Sequence, residues 1–386
     1  MSSCNNNYYP GQGKFVISLN IFDDDNPGGS DSEGYKASGG KRSLILLICD
    51  GAIENNHNVK KLFALLDLPS VGEPFRFTTD IKMLRIMLGL SGGRPTYGCP
   101  YCLAKRIDST GEWTDAENRT LGDCKESHRQ FLAAGGKKKD VNQYYNCVRA
   151  PIDIFTEEDD TWTLALYPPP VLHIVLLGGP NDLFRVLRKK YSVQFAAFQK
   201  EFGFERSEGR GGQYNGVTIR EILKTDRVLE YLRTWQGVPD NVRKAVVEYL
   251  KATWNVYLVS MKKDVDENHP QVFQVYQEKF LAVRRVLTDV SHTPKVHCVT
   301  DHMSQYMENC QTTFSWTSDE FIESLHSQLR KFEEIRSLAI KKKKNYGSVL
   351  HQERLLRSIR LFNYVRLGNF CKNFIFMLIS CNFQDS

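Results

Sequence analysis

The feature that most constrains the fold is a pair of short motifs, far apart in the chain, that carry candidate metal ligands. Cys99 and Cys102 are separated by two residues in a loop rich in glycine and proline. Two thiolates at this spacing can bind one Zn²⁺, but they supply only half of a tetrahedral shell. Histidines near residue 300 are candidates for the other half. A metal shared by both segments would require the intervening chain to fold back on itself.

The sequence offers more than one pair of histidines for the other half of such a site. His297 and His302 lie five residues apart within KVHCVTDH, and His292 and His297 form a competing pair with the same spacing. On a regular α-helix, two positions five residues apart are separated by about 140°, so they share a face only loosely. A single histidine is more often a core or surface residue than a ligand. Spacing alone therefore leaves the two pairs as alternatives.

The composition is that of an ordinary globular protein. The chain has 386 residues, of which 41% are hydrophobic and 25% are charged, and this excludes a disordered or fibrous class. It contains no apolar run of the roughly eighteen residues that span a bilayer. The first residues lack the pattern of a signal peptide, so we expect an intracellular protein with no membrane partner. In a reducing compartment, the ten cysteines are predicted to be free thiols or metal ligands.

The first third of the chain has the pattern of an α/β protein. Phe15 to Ile21 alternates with period two, and Ser43 to Cys49 is a continuous apolar run typical of a buried strand. The segment Asn55 to Leu68 has helical spacing and stops at a proline. Phe75 to Thr79 reads as a third short strand that ends at Asp80. Helical periodicity dominates the later part of the chain.

Two acidic residues are candidates for catalysis. Asp80 follows the predicted strand, where a carboxylate can hold Mg²⁺, although most aspartates before a helix simply cap it. Glu323 lies on the predicted helix WTSDEFIESLHSQLRKF and shares a face with His326 and Arg330. The simpler interpretation of that face is a stripe of solvated side chains.

The net charge of +6 permits a polyanionic partner without requiring one. Lys137 to Lys139 and Lys341 to Lys344 are short basic runs. Such runs contact phosphate or act as nuclear localisation signals in some proteins, and they are solvated surface in others.

The order of these motifs resembles one family. FTTDIKMLRIMLGL, Cys99-x-x-Cys102, NGVTIREIL, HCVTDH and WTSDEFIES follow one another as in the RNase H-like catalytic core of the V(D)J recombinase and the related Transib-like DDE transposases. Transposon-derived proteins of invertebrate animals, which share LYPPPVLHIVLLGGPNDLF and RTLGDCKESHRQF, are more similar still. The resemblance extends from about Gly11 to about Arg330.

The resemblance implies a DNA-cleaving and strand-transferring enzyme. Asp80 would match the second catalytic aspartate of the family, and Glu323 would match its catalytic glutamate. In such enzymes three carboxylates hold two Mg²⁺ or Mn²⁺ ions, which activate water or a DNA 3′-hydroxyl for attack on a phosphodiester.

The resemblance also implies a structural zinc site. Cys99 and Cys102 match the cysteine half of the family's site, and His297 with His302 matches the histidine half. The interval from these histidines to the glutamate differs by one residue, which leaves His292 as an alternative ligand. The zinc would clamp a helical insertion so that the distant glutamate returns to the aspartates.

The sequence departs from the family at the first strand. The family's first catalytic aspartate precedes a Gly-x-Gly such as Gly11-Gln12-Gly13, where this chain has Pro10. We therefore expect an α/β fold whose RNase H-like sheet lacks its first strand and is interrupted by a large, mainly helical, zinc-binding insertion. We expect the protein to be inactive as a transposase because its catalytic triad is incomplete. The alternative is a non-catalytic DNA-binding protein or a zinc-stabilised scaffold.

These expectations divide the chain into four segments and predict its partners. The segments are a partial RNase H-like core at 1–95, a zinc-binding helical insertion at 96–315, a C-terminal catalytic helix at 316–345 and a basic, then apolar, tail at 346–386. The resemblance predicts binding to DNA, a possible homodimer and a nuclear location.

Overall fold

The computed structural model describes residues 12–20, 43–53, 55–64, 77–92, 96–107, 111–152, 160–204 and 213–315, and gives the backbone alone for the first two ranges. The chain divides into two compact units. One unit combines Met1–Glu54 with Glu320–Ser386, and the other is Asn55–Asp319.

The described part of the first unit is an antiparallel pair of strands. Strand β1 (Gln12–Asn20) pairs with β2 (Ser43–Ile53), and Phe15 lies opposite Cys49. The register shifts twice, between Gly13 and Phe15 and between Ile17 and Ser18. Both strands lie where alternation and an unbroken apolar run predict them.

The second unit is helical. In chain order it contains α1 (Asn56–Ala64), α2 (Ile81–Met87), α3 (Leu121–Ala133), a 3₁₀ helix (Lys138–Tyr144), α4 (Thr163–Leu166), a π-helical turn (Leu172–Leu176), α5 (Gly179–Lys190), α6 (Ser192–Phe202), α7 (Gly216–Lys224), α8 (Asp226–Arg233), α9 (Asp240–Ser260), α10 (His269–Val286), α11 (Pro294–His297), a second π-helical turn (Cys298–His302) and α12 (Met303–Cys310). None of the helices within the described ranges is long and apolar enough to cross a membrane.

The prediction of an RNase H-like α/β sheet is wrong for the part of the chain that the structure describes. That part is mostly helical, and apart from isolated bridges its one sheet is the β1–β2 pair. Phe77, in the middle of the predicted third strand, donates its backbone N–H to the carbonyl of Leu166 at 3.1 Å. Its ring packs edge-on against Phe63 at 5.1 Å and Tyr167 at 6.5 Å. Aromatic residues favour half-buried positions of any kind, so their presence here reflects packing on helices rather than membership of a sheet.

The core of the second unit is centred on the two longest helices, α9 and α10. Tyr249 on α9 and Tyr276 on α10 are fully buried, and their hydroxyl groups lie 3.1 Å apart. Gly179 at the start of α5 meets this pair, because a Cβ at that position would lie 2.0 Å from the Tyr249 hydroxyl. The absence of a side chain at Gly179 therefore lets the start of α5 approach the tyrosine pair closely, while Leu183 and Leu187 bury the apolar face of the helix. This close packing fixes the framework from which the loop around Cys99 and the turn around His302 project.

Candidate metal centre

The cysteine half of the centre lies on a loop between α2 and α3. Cys99 and Cys102 are 0% and 3% exposed. The backbone N–H of Tyr101 donates to Cys99 Sγ at 3.4 Å, as expected for a turn that presents a thiolate. A β-bridge from Cys102 to Asn118 and a hydrogen bond from Arg119 N–H to the Tyr101 carbonyl at 2.9 Å tie the loop to the chain that follows it. The N–H of Arg106 also donates to the carbonyl of Thr96 at 2.8 Å, so the loop is held by backbone bonds on both sides of the two thiols.

The histidine half lies on a continuous helical stretch formed by α11, the second π-helical turn and α12. Thr293 caps the stretch by accepting from the N–H of Val296 at 3.3 Å, and Pro294 occupies its first position. Within the π-helical turn, the N–H of Met303 donates to the carbonyl of Cys298, five residues earlier. Such a turn holds one residue more than an α-helical turn, so it brings positions five apart towards the same face.

The π-helical turn therefore removes the 140° separation that a regular helix would impose on His297 and His302. Their Nε2 atoms lie 3.3 Å apart, and both side chains are 3% exposed. Turns of this type are rare and occur often at functional sites.

The two halves meet in a group of four ligand atoms. Cys99 Sγ lies 3.3 Å from His302 Nε2, and Cys102 Sγ lies 3.3 Å from His297 Nε2. All four atoms lie within 4.8 Å of one another. A tetrahedral zinc with bonds of about 2.3 Å to sulfur and about 2.0 Å to nitrogen separates sulfur from nitrogen by about 3.5 Å and the two nitrogens by about 3.3 Å. The residues fit the ion, and the cluster can hold a structural metal such as zinc.

Neighbouring side chains orient one of the two imidazoles from outside the cluster. His297 Nδ1 lies 3.0 Å from the Asp301 carboxylate, the arrangement that fixes the tautomer of many metal-binding histidines. The ring of Trp113 stacks on His297 with centroids 4.3 Å apart and planes inclined by 11°. Trp113 in turn donates from Nε1 to the carbonyl of His292 at 3.1 Å. The His297 ring is thus held in place before any metal binds.

The charges of the four ligands are not balanced in the absence of a metal. Burial, together with the hydrogen bond that Cys99 donates to Cys102, raises the pKa of Cys99 well above its ordinary value. The hydrogen bond from Cys99, with those from His297 and His302, lowers the pKa of Cys102 despite its burial. Burial lowers the pKa of His297, but the bonds to Asp301 and Cys102 outweigh it and raise the pKa to about 9. A divalent cation would supply the positive charge that two thiolates need here.

His292 is not part of the four-ligand group. With His297 and Asp301 it forms a second, less buried group of potential ligands. The His292 ring packs edge-on against Phe280 at 5.2 Å, and burial lowers its pKa to about 4. The first group is complete without it.

The structure shows one of the two predicted catalytic carboxylates. Asp80 is the N-cap of α2, and its carboxylate accepts from the N–H of Met83 at 2.7 Å. No group of three or more potential metal ligands in the described ranges includes Asp80. Glu323, the helix predicted around it and the basic run Lys341 to Lys344 lie outside the described residues. A catalytic role for either carboxylate stays a prediction.

No protein-family model matches the chain, and a comparison with curated proteins found no match. The assignment of the metal centre therefore stands on the geometry of its four ligands.

Sequence reasoning missed three residues around the centre. Asp301 follows His297 by four residues, a spacing that identifies a helical neighbour and was available from the sequence. Trp113 and Arg119 carry no such signal, because each reaches the centre through the fold of the loop rather than through a regular spacing.

Proposed function

We propose that Cys99, Cys102, His297 and His302 form a structural zinc site. The observation that carries this proposal is the convergence of four buried ligand atoms at distances that match a tetrahedral zinc. Two thiolates and two imidazoles form a ligand set that binds zinc in preference to harder cations such as Mg²⁺. Four protein ligands fill a tetrahedral shell, which is the pattern of structural rather than catalytic sites.

The zinc would hold together two segments that are 195 residues apart in the chain at Cys102 and His297. Closing so long a loop has an entropic cost that a single metal-centred link offsets. The site would thereby fix the loop before α3 against the helical stretch from Pro294 to Cys310, and it would order the helices between them. Its role would be to maintain the helical unit in one arrangement.

We further propose that this zinc-stabilised unit belongs to a nuclear, transposase-derived protein that binds DNA. The order of motifs that resembles DDE recombinases supports this, as does the net charge of +6. Two basic runs, Lys137 to Lys139 and Arg188 to Lys190, are largely exposed and form no ion pair with another described residue. Unpaired cations on a surface are available to phosphates, which supply most of the affinity in non-specific DNA binding.

The test is DNA affinity as a function of salt. Fluorescence anisotropy with a labelled duplex would compare the wild type with a variant in which Lys137, Lys138 and Lys139 are changed to glutamine. The control removes the same charge from Lys224, Arg227 and Arg233, each of which already pairs with a glutamate. If the run contacts phosphates, the slope of log affinity against log salt should fall by up to about 2.7 for the first variant. The control should change it less.

Two outcomes would contradict the DNA proposal, and a third would extend it. Absence of binding at low salt, or equal effects of the two variants, would contradict it. Cleavage of the duplex in Mg²⁺ or Mn²⁺ that Glu323→Gln abolishes would show that the protein is also a nuclease.

A further inference from the structure

The loop that carries the two cysteine ligands continues into a turn that is tied to the metal centre. Arg106 and Trp113 form an antiparallel bridge across the two ends of this turn. The ring of Trp113 stacks on the proposed zinc ligand His297, with centroids 4.3 Å apart. The N–H of Gly111 donates to the carbonyl of Ile107 at 2.6 Å. Backbone and ring contacts therefore fix the position of Gly111 relative to the metal centre.

Two arginine side chains from different elements meet at Gly111. Arg106 belongs to the turn, and Arg284 belongs to α10. A Cβ at Gly111 would lie 3.0 Å from Arg106 Nη2 and 3.8 Å from Arg284 Nη2. Both guanidinium groups therefore lie within 4 Å of one point. The backbone φ of Gly111 is +68°, which glycine adopts readily, so this position accommodates both groups without a side chain of its own.

The positive charges at this point are only partly compensated. Glu112 lies 3.8 Å from Arg284 Nη1, but its side chain is 57% exposed, and an ion pair so open to water is weak. Arg106 forms no ion pair with another described residue. Burial and the charge of His297 lower the pKa of His292, and the charges of Arg284 and Arg106 lower it further. The field of both arginines thus reaches the edge of the metal centre, and the charge of Arg106 is left for an anion from outside.

A tetrahedral oxyanion matches this arrangement better than a carboxylate does. A guanidinium presents paired N–H groups that bind the oxygens of phosphate in a bidentate manner. A carboxylate has two oxygens in one plane, and a single arginine occupies both of them. A phosphate group has further oxygens in other directions, so it can accept from two guanidinium groups that approach from different elements. The Arg284 side chain is only 16% exposed, and partial exclusion of water strengthens such bonds.

We propose that Arg106 and Arg284 form a phosphate-binding site next to the metal centre. The phosphate bridges the two guanidinium groups near Gly111 and accepts N–H bonds from both. Two sources of a phosphate group fit this chemistry, namely the backbone of DNA and a free phosphate ion. Where the source is DNA, the site rests on the DNA-binding function proposed above.

The first experiment uses inorganic phosphate and the full chain with zinc bound. Calorimetric melting in sodium phosphate is compared with melting in sodium chloride of equal ionic strength and pH. A ligand that binds the folded state alone raises the melting temperature, so we expect phosphate to raise it for the wild type. Arg106→Gln should abolish this rise. Arg285→Gln is the matched control and should keep it, because it removes the same charge from an exposed residue that points about 100° away around α10.

The second experiment identifies the source of the phosphate group. The affinity for a labelled DNA duplex is measured by fluorescence anisotropy over a range of salt concentrations. If a backbone phosphate occupies the site, Arg106→Gln should lower the slope of log affinity against log salt by about 0.9, the value for one phosphate contact, and Arg285→Gln should not. An unchanged slope, together with loss of the melting rise, would assign the site to free phosphate. If the protein binds no DNA, the DNA-binding function fails, but the first experiment still decides whether the site exists.

A further variant strengthens the site instead of removing it. Glu112→Gln takes away the carboxylate that competes for Arg284, so phosphate should raise the melting temperature of this variant more than that of the wild type. Two results would overturn the proposal. One is equal melting of the wild type in phosphate and in chloride, a comparison that needs no variant. The other is a phosphate-dependent rise that Arg106→Gln keeps as fully as Arg285→Gln.

Discussion

The second unit contains two pairs of buried cysteines that differ in their partners. Cys99 and Cys102 face two imidazoles, whereas Cys147 accepts from the guanidinium of Arg119, which also interacts with Cys124. Imidazole nitrogens donate lone pairs to a metal, but a guanidinium has only N–H groups to offer. The first pair is therefore built to share a cation that arrives from outside. The second pair already has its cation in the fold.

The comparison shows that burial alone does not decide what a cysteine does. All four thiols are 0–3% exposed, and yet one pair lies beside two imidazoles that can share a metal with it, whereas the other lies beside a guanidinium that cannot bind one. The difference lies in which residues the fold brings to each sulfur. Arg119 contacts both sites, because it donates to the Cys102 carbonyl and to the Cys147 sulfur. A substitution at one pair can therefore alter the packing of the other.

Removal of one zinc ligand should have the largest effect. We expect Cys99→Ser to lose the metal and the cooperative unfolding of the unit Asn55–Asp319. The reason is that structural zinc contributes about 10–16 kcal/mol of binding free energy that is coupled to folding. Circular dichroism on heating measures this loss. Cys310→Ser, at a half-exposed position outside both pairs, is the control and should stay within about 0.5 kcal/mol of the wild type. Equal melting temperatures for the two variants would contradict the account.

Removal of the buried cation should have the next largest effect. Arg119→Met removes the bonds from the guanidinium to the Cys147 sulfur and the Cys102 carbonyl and leaves both buried acceptors without this donor, so we expect a loss of about 3 kcal/mol. Urea unfolding of the zinc-bound protein measures it. Arg129→Met, which breaks an exposed pair with Glu126, should have no measurable effect. A similar midpoint for both variants would show that Arg119 needs no buried partner.

Zinc affinity should rise with pH at the first pair. Without metal, the raised pKa of Cys99 and the pKa of about 9 at His297 keep both groups protonated at pH 7, whereas Cys102 is ionised. Zinc binds thiolate and neutral imidazole, so uptake should release about two protons and the affinity should change about a hundredfold per pH unit. The slope should decrease above pH 9, where His297 loses its proton before binding. Calorimetry in buffers of different ionisation enthalpy counts the protons, and release of none would contradict these charge states.

The smallest effect should come from the histidine outside the four-ligand group. We expect His292→Gln to keep its zinc, because His292 is not one of the four converging ligands and its contact with Trp113 uses the backbone carbonyl. Metal analysis checks this against His302→Gln, which should lose the ion. Loss of zinc from both variants would make His292 a ligand.

The sequence predicted the metal centre better than it predicted the sheet. The spacing of Cys99 and Cys102 identifies one half of the site because a two-residue turn by itself brings both thiols together. The histidine half was ambiguous because the angle between His297 and His302 was derived for a regular α-helix. The π-helical turn at Cys298–His302 changes the face on which His302 lies. A single inserted residue in a helix has no reliable signature in one sequence.

The strand prediction before Asp80 failed for a different reason. Phe77 has high strand propensity, but its ring is used to fill space against Phe63 and Tyr167. Propensity of this kind reports burial and does not specify a strand partner. The contact between Arg119 and Cys147 was not predicted either, because the two residues are 28 residues apart in the chain and meet only in the fold.

The most direct test is the metal content of the purified protein. The chain would be expressed in medium with zinc, purified without chelator, shown to be folded by circular dichroism, and weighed by native mass spectrometry. The account predicts a mass that corresponds to one zinc ion per chain and that returns to the mass of the chain alone after denaturation. A folded protein that carries no metal would contradict it.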